Sequence, residues 1–281
     1  MLKVSPEELT LIASLVRDIS GIFLDQTKAY LVESRLGPVA EEFGCTSFKD
    51  LYFKARNDAQ GKMIKRVIDS ITTQETSFFR DRSPFDLFKF KLLPEMIDRA
   101  KKASPAGPWS LKIWSAASST GQEAYSLAIS IREMLPDYLK WRISILGTDI
   151  SDAAVTKASY ARYTAFELER GFPQEKIQQY FKPVEQLWQV KDEIRAMASF
   201  RQLNLMLPFT ALGRFDMILC RNVAIYFSLE VRRNLFDRLA DQLSPDGCLL
   251  IGSTESLLGV SERYRRFEYN KAVFYKLAGA A

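Results

Sequence analysis

The sequence contains no histidine and only three cysteines, Cys45, Cys220 and Cys248. Without histidine there is no Ser-His-Asp or Cys-His nucleophilic catalysis, no HExxH zinc site and no imidazole general base. Any reaction carried out here needs little proton transfer near neutral pH, or uses carboxylate, tyrosine or lysine for it. The cysteines are odd in number and far apart, so they form neither a disulfide framework nor a paired metal knuckle. Cys220 and Cys248 lie in apolar runs and read as buried structural thiols. No apolar run approaches the roughly 18 to 20 residues that a membrane span requires. Met1 to Pro6 has no apolar signal core, and Glu7 and Glu8 follow at once. The expectation is a cytoplasmic chain with no membrane insertion and no metal.

What is present is an ordinary globular balance, 47% hydrophobic and 26% charged over 281 residues. That length suits a domain of roughly 200 residues plus one of roughly 70 to 80. The net charge is +5, yet the first seventy residues hold ten Lys+Arg against ten Asp+Glu. The excess therefore sits on the larger part, where it suits an acidic protein partner as well as nucleic acid.

Residues 1–72 read as an all-helical domain. Ser5-Pro6-Glu7-Glu8 is a helix start, with Ser5 as cap and Glu8 closing a capping box. Leu9, Ile12, Leu15, Val16 and Ile19 form an apolar stripe that Gly21 ends. A second helix is expected over 26–43 behind Asp25, with Leu31, Leu36 and Val39 inward. Shorter helices follow over 47–56 and 60–71. Lys62, Lys65 and Arg66 share a face of the last one, either a solvated surface or a docking stripe for an acidic partner.

Residues 73–281 change rhythm. A helix over 83–100 leads through the Ser104-Pro105-Ala106-Gly107 loop into strands alternating with helices. The strands are expected over 111–117, 142–149, 215–220 and 248–253, with an edge strand over 272–277. This is the βαβ pattern of a doubly wound, Rossmann-like α/β domain. The rhythm breaks over about 160–203, read as an insertion with a small antiparallel hairpin between Trp188 and Phe200.

In such sheets ligands bind beyond the carboxyl ends of the strands. Here the first strand runs into Ser118-Ser119-Thr120-Gly121, a small-residue turn that lets a ligand approach backbone N–H groups or is simply a tight turn. Its single glycine disfavours a phosphate-cradling dinucleotide site. The second strand ends in Asp149, placed to accept from both hydroxyls of a ribose or to cap the following helix. The third ends in Cys220-Arg221-Asn222 before Ile225-Tyr226-Phe227. A nucleoside without phosphates fits this arrangement.

Six segments, in order and spacing, resemble the CheR-type methyltransferases that esterify glutamates of chemotaxis receptors. They are Thr72–Asp81 (TTQETSFFRD), Ile113–Leu127 (IWSAASSTGQEAYSL), Gly147–Ser151, Asn204-Leu205, Phe215–Phe227 (FDMILCRNVAIYF) and Gly252–Leu257 (GSTESL). The resemblance implies an S-adenosylmethionine-dependent protein-glutamate O-methyltransferase, with S-adenosylhomocysteine as product, acting on the cytoplasmic helical region of chemoreceptors. It implies cofactor contacts from Gln74, Thr76, Arg80, Glu123, Asp149, Asn204, Leu205, Arg221 and Asn222, with Arg80 and Tyr226 beside the reacting methyl group. The chain departs from the family at four places: Gln74 replaces the common Asn, Gln122 an acid, Ala124 a proline, and the histidine often found in the Gly-x-x-Glu segment is replaced within Gly252–Glu255. Some relatives carry a glycine-containing insertion loop that docks a receptor-tethered pentapeptide. The hairpin candidate here has no glycine, so a pentapeptide-independent enzyme is expected; separately, nothing in the sequence demands more than a monomer.

A carboxylate acceptor suits a chain without histidine. Glutamate, with pKa about 4.3, is already nucleophilic at neutral pH and releases no proton on methylation. Two other readings stay open at this stage. One is a nucleic-acid or small-molecule methyltransferase, although the Asn222–Tyr226 loop lacks the prolines of base amino methylases and the small domain is charge-balanced. The other is a non-catalytic module that senses the cofactor.

Overall fold

The computed structural model describes residues 2–279. The first helix, Pro6–Ser20, starts on the Ser5–Glu8 capping box: Ser5 accepts from the N–H of Glu8, and Glu8 accepts from that of Ser5. Leu9, Ile12, Leu15 and Val16 enter a small core with Val32, Leu36, Phe48, Leu51 and Val67. Ile19 packs at its margin. The apolar pattern places Leu31 in that core, but it lines a cavity instead.

Residues 26–42 are helical but irregular, with a π-helical stretch at Val32–Leu36 ahead of Pro38. The same device recurs at Phe88–Leu92 ahead of Pro94. A proline offers no N–H, and its ring collides with the carbonyl four residues back. A wider turn just before it keeps the helix running.

Lys62, Lys65 and Arg66 do not form a free basic stripe. Arg66 grips Glu42 with two nitrogens, at 3.1 and 2.8 Å, and Lys65 lies 3.7 Å from Asp152 of the larger domain. That favours the solvated-face reading over a docking stripe.

The strands are β1 (Trp109–Ala116), β2 (Trp141–Asp149), β3 (Arg162–Tyr163), β4 (Phe181–Val184), β5 (Leu187–Val190), β6 (Ala198–Gln202), β7 (Phe215–Cys220), β8 (Leu243–Ile251), β9 (Tyr264–Tyr269) and β10 (Ala272–Leu277). Seven of them form one sheet in the order β6-β2-β1-β7-β8-β10-β9. The pairs from β6 through β8 are parallel, and β10 and β9 close the sheet antiparallel. Alternation along β7 shows why: Met217 and Leu219 face one apolar layer, Ile218 and Cys220 the other, all buried. A strand covered on both faces must be apolar throughout.

Three expectations need correction. Residues 198–202 do not belong to a hairpin in the insertion; they pair in parallel with β2, from Ile145 opposite Ala198 to Asp149 opposite Gln202. The hairpin is β4–β5, turning at Glu185-Gln186 with Glu185 at φ 56°, and β3 joins its other side. Finally, β10 is not the edge, because β9 covers it. Residues of β9 such as Arg265, Arg266 and Glu268 are mostly exposed, which hides the strand in the sequence and guards the edge against further pairing.

Candidate functional site

A cavity of about 260 Å³ opens where the helical domain meets the carboxyl ends of β1, β2 and β7. Gln74, Thr76, Arg80, Glu123, Asp149, Asn204, Leu205, Arg221, Asn222 and Tyr226 all line it. Residues distributed over 74–226 of the sequence thus converge on one space.

The turn after β1 is built without the usual glycines. Ala117 and Ser119 adopt left-handed φ values of 60° and 51°, and Gly121 follows at 94°. A Cβ on Gly121 would sit 2.9 Å from that of Ala158, so a glycine there lets two helices approach. The turn presents the N–H of Ser119 to the carboxylate of Asp149 at 2.8 Å. The N–H of Ser151 donates to the other carboxylate oxygen at 3.0 Å. Each oxygen keeps a further acceptor site. Ser151, not Asp149, caps the next helix by accepting from Ala154. That removes the capping role and leaves the buried carboxylate facing the cavity. Burial pushes its pKa above the ordinary aspartate value, and the Ser151 and Ser119 N–H groups resist that rise only in part.

Gln74 clips the interdomain linker to this turn, accepting from the Ser119 hydroxyl at 2.7 Å and donating to Thr72 at 3.0 Å. Thr76 lies further along the same cavity wall. The Ser118 hydroxyl is buried with no protein partner.

Glu123, in the first turn of helix Gln122–Met134, accepts from Ser115 at 2.7 Å and from Arg221 at 2.8 Å. The Arg221 side chain is only 2% exposed and also donates to Asp81 at 2.8 Å and to the Arg80 carbonyl at 3.1 Å. Arg221 therefore reaches the cavity as the buried centre of a charge cluster whose outer member, Asp81, is exposed. Asn222 takes a left-handed φ of 57°, held by its N–H donating to Glu255 at 2.8 Å. Glu255 also accepts from the Gly252 N–H at 2.6 Å, so the GSTESL segment supports the site from behind.

Asn204 is engaged elsewhere: its amide donates to the Ile19 carbonyl at 2.8 Å and accepts from Met206 at 2.9 Å. It ties the two domains together, and Leu205 supplies apolar wall beside it. Tyr226 stands at the rim, 37% exposed, which excludes the reading of a core tyrosine. Arg80, also partly exposed, donates to the Glu75 carbonyl at 2.7 Å.

One wall was not anticipated. Ile22, Leu24, Lys28, Leu31 and Arg35 of the helical domain close the cavity, and Arg35 donates to the Ile71 carbonyl at 2.8 Å and to Thr73 at 3.1 Å. Nothing in the pattern of one domain reveals which of its loops will meet the other. Gly21 was the sole hint, and it read only as a helix end.

The donor set fits a nucleoside: a buried carboxylate with free acceptor sites, an unpartnered hydroxyl, apolar walls, and no glycine-rich phosphate cradle. Among the described residues no group of three or more acidic or cysteine side chains is placed to hold a metal ion.

The family model for the "CheR methyltransferase, SAM binding domain" matches residues 74–273, and that for the "CheR methyltransferase, all-alpha domain" matches 7–72. Chemotaxis protein methyltransferase Cher2 of Pseudomonas putida is 36% identical over 260 residues, covering 91% of this chain and 92% of its own. Chemotaxis protein methyltransferase 1 of Pseudomonas aeruginosa is 38% identical with the same coverage. Its namesake in Vibrio cholerae is 38% identical over 261 residues, covering 92% of each chain.

Proposed function

This chain belongs to the CheR methyltransferase family, and from that premise we propose that it esterifies glutamate side chains on the helical cytoplasmic region of chemoreceptors. It is an S-adenosylmethionine-dependent methyltransferase of the chemotaxis type. Among the described residues no helix is long and apolar enough to cross a membrane. We place its action in the cytoplasm, where the receptor region it modifies lies.

The observation that carries the reading is the convergence of all ten residues on one interdomain cavity around the buried Asp149 carboxylate. Bound there, the cofactor supplies an electrophilic methyl group on a cationic sulfur. Asp149 would accept from its ribose hydroxyls, and Gln74 and the Ser118–Ser119 turn would form the floor beside them. Glu123, first-turn residue of its helix, would hold the cofactor's polar tail. The helical domain, through Ile22 and Leu24, excludes water from the reacting groups.

Arg80 and Tyr226 at the rim orient the incoming glutamate. A full two-nitrogen grip by Arg80 would stabilise the ionised substrate more than the transition state, where its charge is being lost. Arg80 therefore acts obliquely, and the Tyr226 hydroxyl adds a neutral hydrogen bond. Methylating a carboxylate releases no proton, so no general base is needed. Alignment and dryness supply most of the acceleration.

The β4–β5 turn contains no glycine, which supports a pentapeptide-independent enzyme. Titrating the chain with a receptor C-terminal pentapeptide should give no saturable signal.

The deciding assay transfers labelled methyl groups to receptor cytoplasmic fragments from the same genome and counts methanol released by mild alkali. Alkali-labile label that disappears in Asp149→Ala and Arg80→Ala is expected. Alkali-stable label would move the acceptor to nitrogen and overturn the glutamate assignment.

A further inference from the structure

We propose that Asp81 is a positioning residue that aims Arg80 at the reacting methyl group, acting through the buried guanidinium of Arg221. The proposal rests on the placement of Arg80 given above.

Phe79, Asp81 and Arg82 adopt left-handed φ values of 51°, 68° and 48°, with no glycine among them. Side chains disfavour that region, and a run of such residues persists only where its surroundings over-determine it. The Arg80 guanidinium does little of that work: it donates to the nearby Glu75 carbonyl at 2.7 Å, which steadies its tip, while the main chain fixes where the side chain starts.

Arg221 holds that main chain. One of its terminal nitrogens donates to both the Arg80 carbonyl at 3.1 Å and the Asp81 carboxylate at 2.8 Å. The other donates to Glu123 at 2.8 Å. The guanidinium carbon also lies 5.7 Å from the centre of the Phe85 ring. Charge-assisted bonds to a buried arginine are strong and directional. A second tie, from the Phe79 N–H to the Ser126 hydroxyl at 3.0 Å, anchors the segment on its other side. Asp81 does not line the cavity itself; its carboxylate reaches it through the bond to Arg221.

The test uses Asp81→Gly, which removes the carboxylate but tolerates the left-handed backbone. With the Glu123–Arg221 pair intact, affinity for S-adenosylmethionine should stay within about threefold, while kcat falls roughly ten- to hundredfold from misaim. Asp81→Asn keeps an acceptor oxygen and should recover most of the turnover. In an Arg80→Ala background, Asp81→Gly should cost almost nothing further. Asp81→Ser also lacks the carboxylate and carries the same cycle should the glycine variant fold poorly.

Losses that multiply in the double variant would overturn the proposal, as would affinity falling in step with kcat. Full turnover in Arg80→Ala alone would overturn the placement of Arg80, and the role of Asp81 with it.

Discussion

The N–H of Phe23 donates to the carbonyl of Tyr226 at 2.8 Å, so the helical domain is bonded directly to the loop that carries the rim tyrosine. An isolated β-bridge between Ile22 and Phe227 continues the contact, and the Asn204 amide reaches Ile19 alongside it. The cavity is a product of this junction, since neither domain encloses it alone.

Gly21 sits at the centre of the junction with φ 77°. A Cβ there would strike the Met206 sulfur and lie 3.3 Å from the Phe227 ring. Left-handed strain and overpacking together should make Gly21→Ala cost about 2–4 kcal/mol in urea unfolding and weaken cofactor binding. A cost below about 0.5 kcal/mol would show that the junction has slack.

Asp149 should give cofactor affinity a pH dependence of definite sign. Burial raises its pKa above the usual aspartate value of 3.8, so protonation begins at a higher pH than in an exposed aspartate. A protonated Asp149 loses acceptor capacity toward a diol, so affinity should fall on acidification. For the free protein the sign reverses: a raised carboxyl pKa favours the folded state at low pH, and this contribution is lost as pH rises through the folded value. Asp149→Asn should flatten both curves. An unchanged pH dependence of affinity in that variant, measured calorimetrically, would remove Asp149 from the ribose.

With no histidine in the chain and an acceptor that is already ionised, kcat at saturating cofactor should be flat between pH 6 and 8. A bell-shaped profile in stopped-time assays would require an unrecognised acid or base.

Glu133 anchors the insertion, receiving Lys89, Lys176 and the Tyr180 hydroxyl. Burial would raise its pKa, but the Lys89 and Tyr180 hydrogen bonds outweigh that and leave it below the usual value of 4.5. Its contribution is therefore complete above that value and is lost as pH falls through the lower, folded one. Glu133→Gln should cost about 1–2 kcal/mol at neutral pH, after allowance for partial exposure. The difference from the parent chain should shrink in acid. A penalty that persists unchanged at pH 3 would locate the effect in packing rather than charge.

Much of this was readable in advance where local chemistry decides the outcome. The Ser5–Glu8 cap, the apolar run 215–220 and the carboxylate at the end of β2 each follow from nearest-neighbour rules. What escaped depends on partners distant in the chain. Residues 198–202 alternate like a hairpin strand, yet they pair with β2 because that edge was open. The exposed charges of β9 conceal a strand whose only covered neighbour is β10. Arg221 and Asn204 were assigned to ligand contacts, but their polar groups also knit the protein to itself. The wall from the helical domain follows from docking, which no periodicity records.

The two family regions meet between residues 72 and 74, which invites cutting the chain there. The Phe23–Tyr226 and Asn204–Ile19 bonds argue against it. A fragment beginning at 73 would carry an orphaned asparagine amide, an unpaired loop carbonyl, and Leu205 and Phe227 open to water. Inheritance treats the two regions as separate modules; solubility does not, and a shortened catalytic fragment should be prone to aggregation.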